Sequence, residues 1–148
     1  MNIRYTLTPQ AIAAGCVFEI PAPGDAGFDI YASEGATLGA QGDSKWVNAG
    51  WIPTGLHIEI PRGYVGIVKD RSSMAAAGVY THAGVIDSGY RGEVKVYLEN
   101  GTPIKYTVQP GQKIAQIVIV PYFARETVKV DVLGDTERGD KGFGSTGK

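Results

Sequence analysis

Short runs in which apolar residues occupy every second position recur along the chain, and this feature restricts the possible folds most. The runs cover residues 3–7, 56–60, 94–98, 104–108 and 128–132. A period of two places the apolar side chains on one face of a β-strand, so each run predicts a half-buried strand. Clusters of Gly, Pro, Asn and Asp separate the runs at close intervals. At 148 residues, the chain is predicted to be one all-β domain: a sandwich, a jelly roll or a small barrel.

Two stretches differ from this pattern. Residues 113–121 (KIAQIVIVP) are apolar without strict alternation, which predicts a central strand covered on both faces. Residues 71–78 (RSSMAAAG) predict the one short helix, with Ser72 or Ser73 as its N-cap. Backbone N–H groups at such a helix start, beside Arg71, suit a phosphate.

The end of the chain has a different character. After a domain spanning residues 1–134, the glycine-rich segment 135–148 shows no alternation and predicts a flexible C-terminal arm. Its last residues, 142–148 (GFGSTGK), match the start of a phosphate-binding P-loop. A P-loop also needs a preceding strand, a hydroxyl residue after the lysine and a helix, so we do not expect one here. On composition alone, a disordered terminus and an arm that wraps a polyphosphate both remain open.

Charge and cysteine content exclude several classes of protein. Fourteen Lys and Arg stand against fifteen Asp and Glu, a net charge of -1, so we expect no nucleic-acid partner. The one cysteine cannot form an internal disulfide, and no signal sequence opens the chain. The longest strongly apolar run, 117–120, is far shorter than the ~20 residues of a membrane span. We therefore expect a cytoplasmic, intracellular protein without a membrane partner. The two histidines have no metal-ligand spacing and no Ser-His-Asp motif context.

Three polar residues each have two interpretations. Asp87 lies in a predicted hairpin, 84–93 (GVIDSGYRGE), where it either forms the turn or acts in catalysis. Asp29 stands between apolar neighbours with its carboxylate predicted to face away from the core, as a solvated charge or a functional group. Gln116 interrupts the most apolar strand, where its amide needs hydrogen-bond partners or has a functional role.

Five segments, taken in chain order, resemble the motifs of the trimeric deoxyuridine triphosphatase (dUTPase) family. They are AGFD at 26–29, RSSMA at 71–75, GVIDSGYRGE at 84–93, GQKIAQ at 111–116 and RGDKGFGSTG at 138–147. Each motif alone is weakly specific, but five in this order, spanning nearly the whole chain, rarely coincide by chance. The resemblance implies a jelly-roll protomer and a homotrimer with active sites at subunit boundaries. It also implies Mg²⁺-dependent hydrolysis of dUTP to dUMP and pyrophosphate.

The resemblance assigns roles to the three ambiguous polar residues. Asp87 would hold and polarise the attacking water, and Gln116 would help to position it. The Mg²⁺ ion would be held by phosphate oxygens and water molecules, and Asp29 would contact it indirectly, through water.

Substrate contacts implied by the resemblance fall into three groups. The group that would grip the phosphates consists of Arg71, Ser72 and Ser73. The group on the turn would read uracil through the backbone of Gly84, Val85 and Ile86, with Tyr90 beneath the deoxyribose. The arm would place Arg138 on the γ-phosphate and Phe143 on uracil, and would close over the triphosphate with Gly144, Ser145 and Thr146.

Two positions depart from the family pattern. Asp70 precedes Arg71 where relatives often carry Pro or Gly, which adds a negative charge near the phosphate-binding group. Thr81 stands where some relatives have an Asn that reaches the base.

Two alternatives to a dUTPase accompany the resemblance. A dCTP deaminase shares the fold, but its catalytic Glu falls ten residues after the turn Asp, where this chain has Tyr97, and Phe143 also favours the triphosphatase. A non-catalytic nucleotide-sensing or regulatory trimer could use the same scaffold. The presence of Asp87, Gln116 and Arg138 argues against lost catalysis, although regulatory binding could coexist with it.

Overall fold

The computed structural model describes residues 2–20, 22–45, 47–123, 126–137 and 139. These residues form mostly β-structure, with two helices of five residues each. The strands are β1 Arg4–Leu7, β2 Gly27–Tyr31, β3 Ala36–Leu38, β4 Ala49–Ile52, β5 Leu56–Glu59, β6 Tyr64–Lys69, β7 Val79–His82, β8 Val85–Ile86, β9 Val96–Asn100, β10 Tyr106–Val108 and β11 Lys113–Pro121. The helices are α1 Pro9–Ala13 and α2 Ser72–Ala76.

The described strands form four antiparallel sheets. The largest has the order β2-β11-β6-β8, and a second has the order β4-β9-β7. Strands β1 and β5 form one two-stranded sheet, and β3 and β10 form the other. The predicted central strand is confirmed, because β11 pairs with β2 along one edge and with β6 along the other. The fold is all-β and jelly-roll-like, as predicted.

One hydrophobic core joins the four sheets. Its buried side chains come from strands of every sheet, including Ile30, Leu38, Leu56, Leu98 and Ile117. Burying one such side chain fully stabilises the fold by about 1.5–3 kcal/mol. The large sheet therefore has one face packed on the core, and its other face is available for the polar residues of β2 and β11.

The helix prediction needs two corrections. Helix α1 was not predicted, although Thr8 and Pro9 form a recognisable start: the Thr8 hydroxyl accepts a hydrogen bond from the N–H of Ala11 at 3.3 Å, and Pro9 opens the helix. Helix α2 is confirmed, but its N-cap is Arg71 and no side chain caps it. Ser72 and Ser73 therefore lie inside the first turn.

Two strand predictions are wrong. Residues 128–132 form no strand in the described part of the chain, and Val128, Val130 and Val132 are 78%, 52% and 83% exposed. The segment 84–93 is not a hairpin, because β8 pairs with β6 whereas β9 pairs with β4 and β7. Its turn joins two different sheets. Within the described ranges, no helix is long and apolar enough to cross a membrane.

Candidate active site

Four of the predicted site residues line one cleft of about 490 Å³, which we call the cation cleft. They come from three elements of the large sheet and its surroundings: β2, β11 and the start of α2. The lining residues that matter below are Asp29, Arg71, Ser72, Lys113 and Gln116. Ser73 is exposed beside the cleft, and its hydroxyl is 3.5 Å from Nη1 of Arg71.

Asp29 is the buried charge of the cation cleft, with 9% of its surface exposed. One carboxylate oxygen accepts a hydrogen bond from Nε of Arg71 at 2.8 Å, and the other is 2.7 Å from Nζ of Lys113. Of the two interpretations of Asp29, the solvated charge is therefore wrong, because the carboxylate is buried and paired with two cations. The hydrogen bond with Asp29 raises the pKa of Lys113 above its ordinary value. Around Asp29, two cations face one carboxylate, so this part of the cleft carries a local positive charge that suits a phosphate. The exposed Asp25 carboxylate at the rim brings the summed charge of the whole lining to zero.

Lys113 is a candidate functional residue that sequence reasoning missed. It lies three residues before Gln116, a spacing that places side chains on opposite faces of a regular strand. An irregularity in the pairing of β11 with β2 falls between Lys113 and Ala115, and both Lys113 and Gln116 reach the same cleft. The motif GQKIAQ contains Lys113, but regular strand alternation would place its side chain on the face opposite to that of Gln116.

The Gln116 side chain has a defined orientation. Its Nε2 donates a hydrogen bond to the main-chain carbonyl of Asp70 at 2.9 Å. Its Oε1 lies against Gly27, where a β-carbon would stand 2.6 Å from that oxygen. Because a carbonyl can only accept, the Asp70 contact determines which end of the amide is Nε2. Oε1 is thus the acceptor that remains for a ligand in the cleft.

The other predicted residues line a separate cleft of about 470 Å³, which we call the turn cleft. Its predicted members are Gly84, Val85, Ile86, Asp87 and Tyr90, and its further lining residues include Trp51 and Lys95. Asp87 is exposed, and its carbonyl closes the turn by accepting from the N–H of Tyr90 at 3.0 Å. The Tyr90 hydroxyl donates to the carbonyl of Glu93 at 2.9 Å.

The two clefts share none of their described lining residues. Strand register explains the separation: Ile86 is level with Gly66 on β6, and Gly66 is level with Ile119 on β11. Ile86 is therefore two strands across from β11 and three residues along it from Gln116. With strands ~4.8 Å apart and ~3.3 Å per residue, this separation is about 14 Å. Asp87 follows Ile86 in the direction that leads away from Gln116.

The two departures from the family pattern lie in contact. Oδ1 of Asp70 accepts hydrogen bonds from both the N–H and the hydroxyl of Thr81, each at 2.6 Å. Asp70 is absent from the described lining of either cleft. Its charge is therefore directed to β7 and not toward the phosphate-binding group.

The remaining predictions concern the arm and the metal. The arm residues assigned to substrate lie outside the described residues: Arg138, Phe143, Gly144, Ser145 and Thr146. Within the described ranges, no cluster of three or more His, Cys, Asp or Glu side chains could hold a metal ion. The cation cleft does contain two carboxylates, those of Asp25 and Asp29. That donor set fits Mg²⁺ bound mainly by phosphate oxygens and water, which needs only one or two protein carboxylates.

A family model described as dUTPase matches residues 15–147, almost the whole chain. The chain belongs to the dUTPase family. Its sequence is 44% identical over 126 residues to a deoxyuridine 5'-triphosphate nucleotidohydrolase of Debaryomyces hansenii, covering 83% of this chain and 75% of that protein. It is 39% identical over 129 residues to the Leifsonia xyli enzyme of the same name, covering 84% and 81%. The chain is thus similar to named hydrolases along most of its length.

Solved structures of dUTPases share the fold. A variant of the Staphylococcus bacteriophage 80alpha dUTPase, solved with dUpNHpp, superposes with a TM-score of 0.85 and 26% identity, over 99% of both chains. A variant from Staphylococcus aureus phage phi11 gives a TM-score of 0.77 at 24% identity, covering 89% of this chain and 98% of that one. That phi11 protein is described as coordinating a structural Mg(II) ion.

Proposed function

We propose that this chain hydrolyses dUTP to dUMP and pyrophosphate by attack of water on the α-phosphorus. The observation that carries the proposal is the cation cleft of a dUTPase-family chain, in which Arg71 and Lys113 flank Asp29 next to the oriented amide of Gln116. A triphosphate carries several negative charges, and cations fixed beside it stabilise charge that develops as the bond to the leaving group breaks.

The phosphate contacts follow from the members of the cation cleft. The Arg71 guanidinium presents N–H donors in a planar fork that matches phosphate oxygens. Ser72 and Ser73 add hydroxyl donors from the first turn of α2. Because α2 has only five residues, these individual donors outweigh any dipole of the helix. Mg²⁺ bound to the triphosphate would supply further charge neutralisation, with Asp29 hydrogen-bonding to water around the ion.

Asp87 and Gln116 act on the attacking water. Asp87 is exposed in the turn cleft and accepts the water's proton as the oxygen attacks phosphorus. Oε1 of Gln116 accepts the second hydrogen and so directs a lone pair toward the phosphate. Removing a general base costs about 10²–10⁴ in rate.

The turn cleft selects the nucleoside. Strand β8 is the edge of the large sheet as described, so those backbone groups of Gly84, Val85 and Ile86 that are not bonded to β6 can hydrogen-bond the edge of uracil. The Gly84 carbonyl is not among them, because it accepts from the N–H of Val68 at 2.8 Å. Tyr90 packs beneath the deoxyribose and excludes a 2'-hydroxyl. From the arm, Arg138 and Phe143 complete the site on the γ-phosphate and the base. Gly144, Ser145 and Thr146 close over the triphosphate.

A homotrimer with shared sites accounts for the distance between the clefts. Asp87 and Gln116 of one chain are too far apart to hold one water molecule, because about 14 Å already separates Ile86 from Gln116. The site then combines the turn cleft of one protomer with the cation cleft of the next. The exposed, alternating residues Val128, Val130 and Val132 support association, because such a segment can pair with a second copy. A cytoplasmic location stays a prediction.

The activity is tested by measuring pyrophosphate release from dUTP, dCTP and UTP, with ammonia release from dCTP measured in parallel. The proposal expects pyrophosphate from dUTP in strong preference to the other two nucleotides. Ammonia from dCTP would indicate a deaminase. Binding of dUTP without turnover would indicate a nucleotide sensor.

Shared sites are tested by mixing equal amounts of two variants with strongly reduced turnover, Asp87→Asn and Gln116→Ala, through unfolding and joint refolding. In a random trimer, a site is intact when Asp87 comes from one variant and Gln116 from the other, so about a quarter of parental turnover returns. If one chain supplies both residues, no mixed site is intact and turnover stays at the level of the variants. Refolded parent protein, treated identically, is the control.

A further inference from the structure

We infer that Asp70 is a positioning residue that, together with Thr81, orients the Gln116 amide for the reaction. This inference rests on the proposed function, because it assigns the purpose of an orientation that matters only if Gln116 contacts the attacking water. Asp70 is not among the described lining residues of either cleft but binds Gln116, which is, so it would act through Gln116 and not on the substrate.

Asp70 connects three parts of the fold with different atoms. Its carboxylate oxygen Oδ1 binds the N–H and the hydroxyl of Thr81 on β7, both at 2.6 Å. Its main-chain carbonyl accepts from Nε2 of Gln116 on β11 at 2.9 Å. The next residue, Arg71, binds Asp29 on β2 at 2.8 Å. One short connection after β6 is therefore attached to β7, β11 and β2 at once.

The two hydrogen bonds from Thr81 hold the direction of the Asp70 carbonyl. They are charge-assisted and come from one residue of a paired strand, so they resist rotation of the connection after β6. If the carbonyl turned away, the Gln116 amide could rotate by half a turn and place Nε2 in the cleft. That arrangement would present a donor to the attacking water where an acceptor is required.

Asp70 and Thr81 each need the other residue to form this contact. Neither a Pro nor a Gly at position 70 could accept from Thr81, and a residue without a side-chain donor at position 81 would leave half of the Asp70 interaction unmade. Both departures from the family pattern are thus explained by one contact. The charge of Asp70 does not oppose the phosphates, because Thr81 binds it outside the cation cleft.

The test uses variants of both partners in the full chain. Asp70→Ala is expected to lower kcat by about 10- to 100-fold, the range that a misplacement of ~1 Å can produce, with KM for dUTP nearly unchanged. Thr81→Val, which keeps the N–H but loses the hydroxyl, is expected to have a smaller effect. Thr81→Ser restores the hydroxyl and is expected to restore parental kcat. If Asp70→Ala fails to fold, the kcat values of Asp70→Asn and of the two Thr81 variants still test whether Asp70 positions Gln116.

A double-mutant cycle separates positioning from a merely structural role. In the Gln116→Ala background, Asp70→Ala is expected to have no further effect on kcat, because the group that it positions is gone. Equal fold losses in both backgrounds, or a parental kcat for Asp70→Ala, would overturn the inference. If the parent protein itself does not hydrolyse dUTP, the proposed function fails instead. Hydrogen exchange at the Thr81 amide would then still test the Asp70 contact, with faster exchange expected in Asp70→Ala.

Discussion

Oε1 of Gln116 lies so close to the α-carbon of Gly27 that a β-carbon on Gly27 would be 2.6 Å from it. Gly27 belongs to the segment AGFD on β2, and Gln116 belongs to GQKIAQ on β11. The Gln116 side chain thus explains why the segment AGFD has a glycine at position 27. Asp29, two residues after Gly27, pairs directly with Gln116 across the two strands.

Gly27→Ala is expected to lower turnover by about 10- to 100-fold with little loss of stability. The added methyl group would displace the end of a flexible side chain and separate Nε2 of Gln116 from the Asp70 carbonyl. Steady-state kinetics and thermal unfolding measure the two effects. Gly50→Ala is the matched control on β4, because no described atom lies within 4 Å of its added β-carbon. Parental turnover in Gly27→Ala would contradict the role of Gln116 orientation.

Tyr90→Ala is expected to narrow the preference for dUTP over UTP by about tenfold or more, because removing the ring leaves room for a 2'-hydroxyl. The ring is held over Gly92, where a β-carbon would be 2.4 Å from the Tyr90 hydroxyl. The readout is kcat/KM for both nucleotides. Tyr90→Phe keeps the ring, loses the bond to Glu93 and is expected to retain the preference. An unchanged ratio in Tyr90→Ala would remove Tyr90 from sugar recognition.

Lys113→Gln is expected to destabilise the fold in a pH-dependent manner. The hydrogen bond with Asp29 raises the pKa of Lys113 above 10.5 in the folded protein. The stabilisation is therefore complete below 10.5 and is lost as the pH rises through the folded-state pKa. Urea unfolding of parent and variant is expected to differ at neutral pH and to converge at strongly alkaline pH. Lys45→Gln, which changes an exposed lysine that lines neither cleft, is the control and is expected to match the parent throughout.

Deleting residues 135–148 is expected to abolish efficient hydrolysis while the fold and its assembly persist. Residues 135–137 are exposed and belong to no strand or helix, so their loss removes no core contact. Turnover, circular dichroism and sedimentation measure the three properties. Phe143→Ala in the full chain tests whether base stacking accounts for part of the loss. A truncated protein with parental turnover would exclude the arm from the reaction.

Local patterns were sufficient for some elements and failed for others. The strand 113–121 was predicted with correct bounds because its apolar composition is a local property. The alternation at 128–132 resembles that of residues 3–7 and 56–60, which do contain strands, but no strand of the described chain pairs with residues 128–132. The turn around Asp87 was predicted correctly as a turn and wrongly as a hairpin, because its flanking strands join different sheets.

The amino-acid sequence is sufficient to predict the all-β class, the central strand, the family and the residues expected at the site. These features depend on residue type and short spacing, which can be read directly from the sequence. Three relationships become apparent only in the folded chain: Lys113 contacts Asp29, the Asp70 carbonyl binds the Gln116 amide, and Asp87 lies far from Gln116 within one chain. Each of these depends on strand register or on contact between distant residues; Asp70 and Gln116, for example, are 46 positions apart. Strand register is set by the packing of whole sheets, so it cannot be predicted from a local sequence pattern.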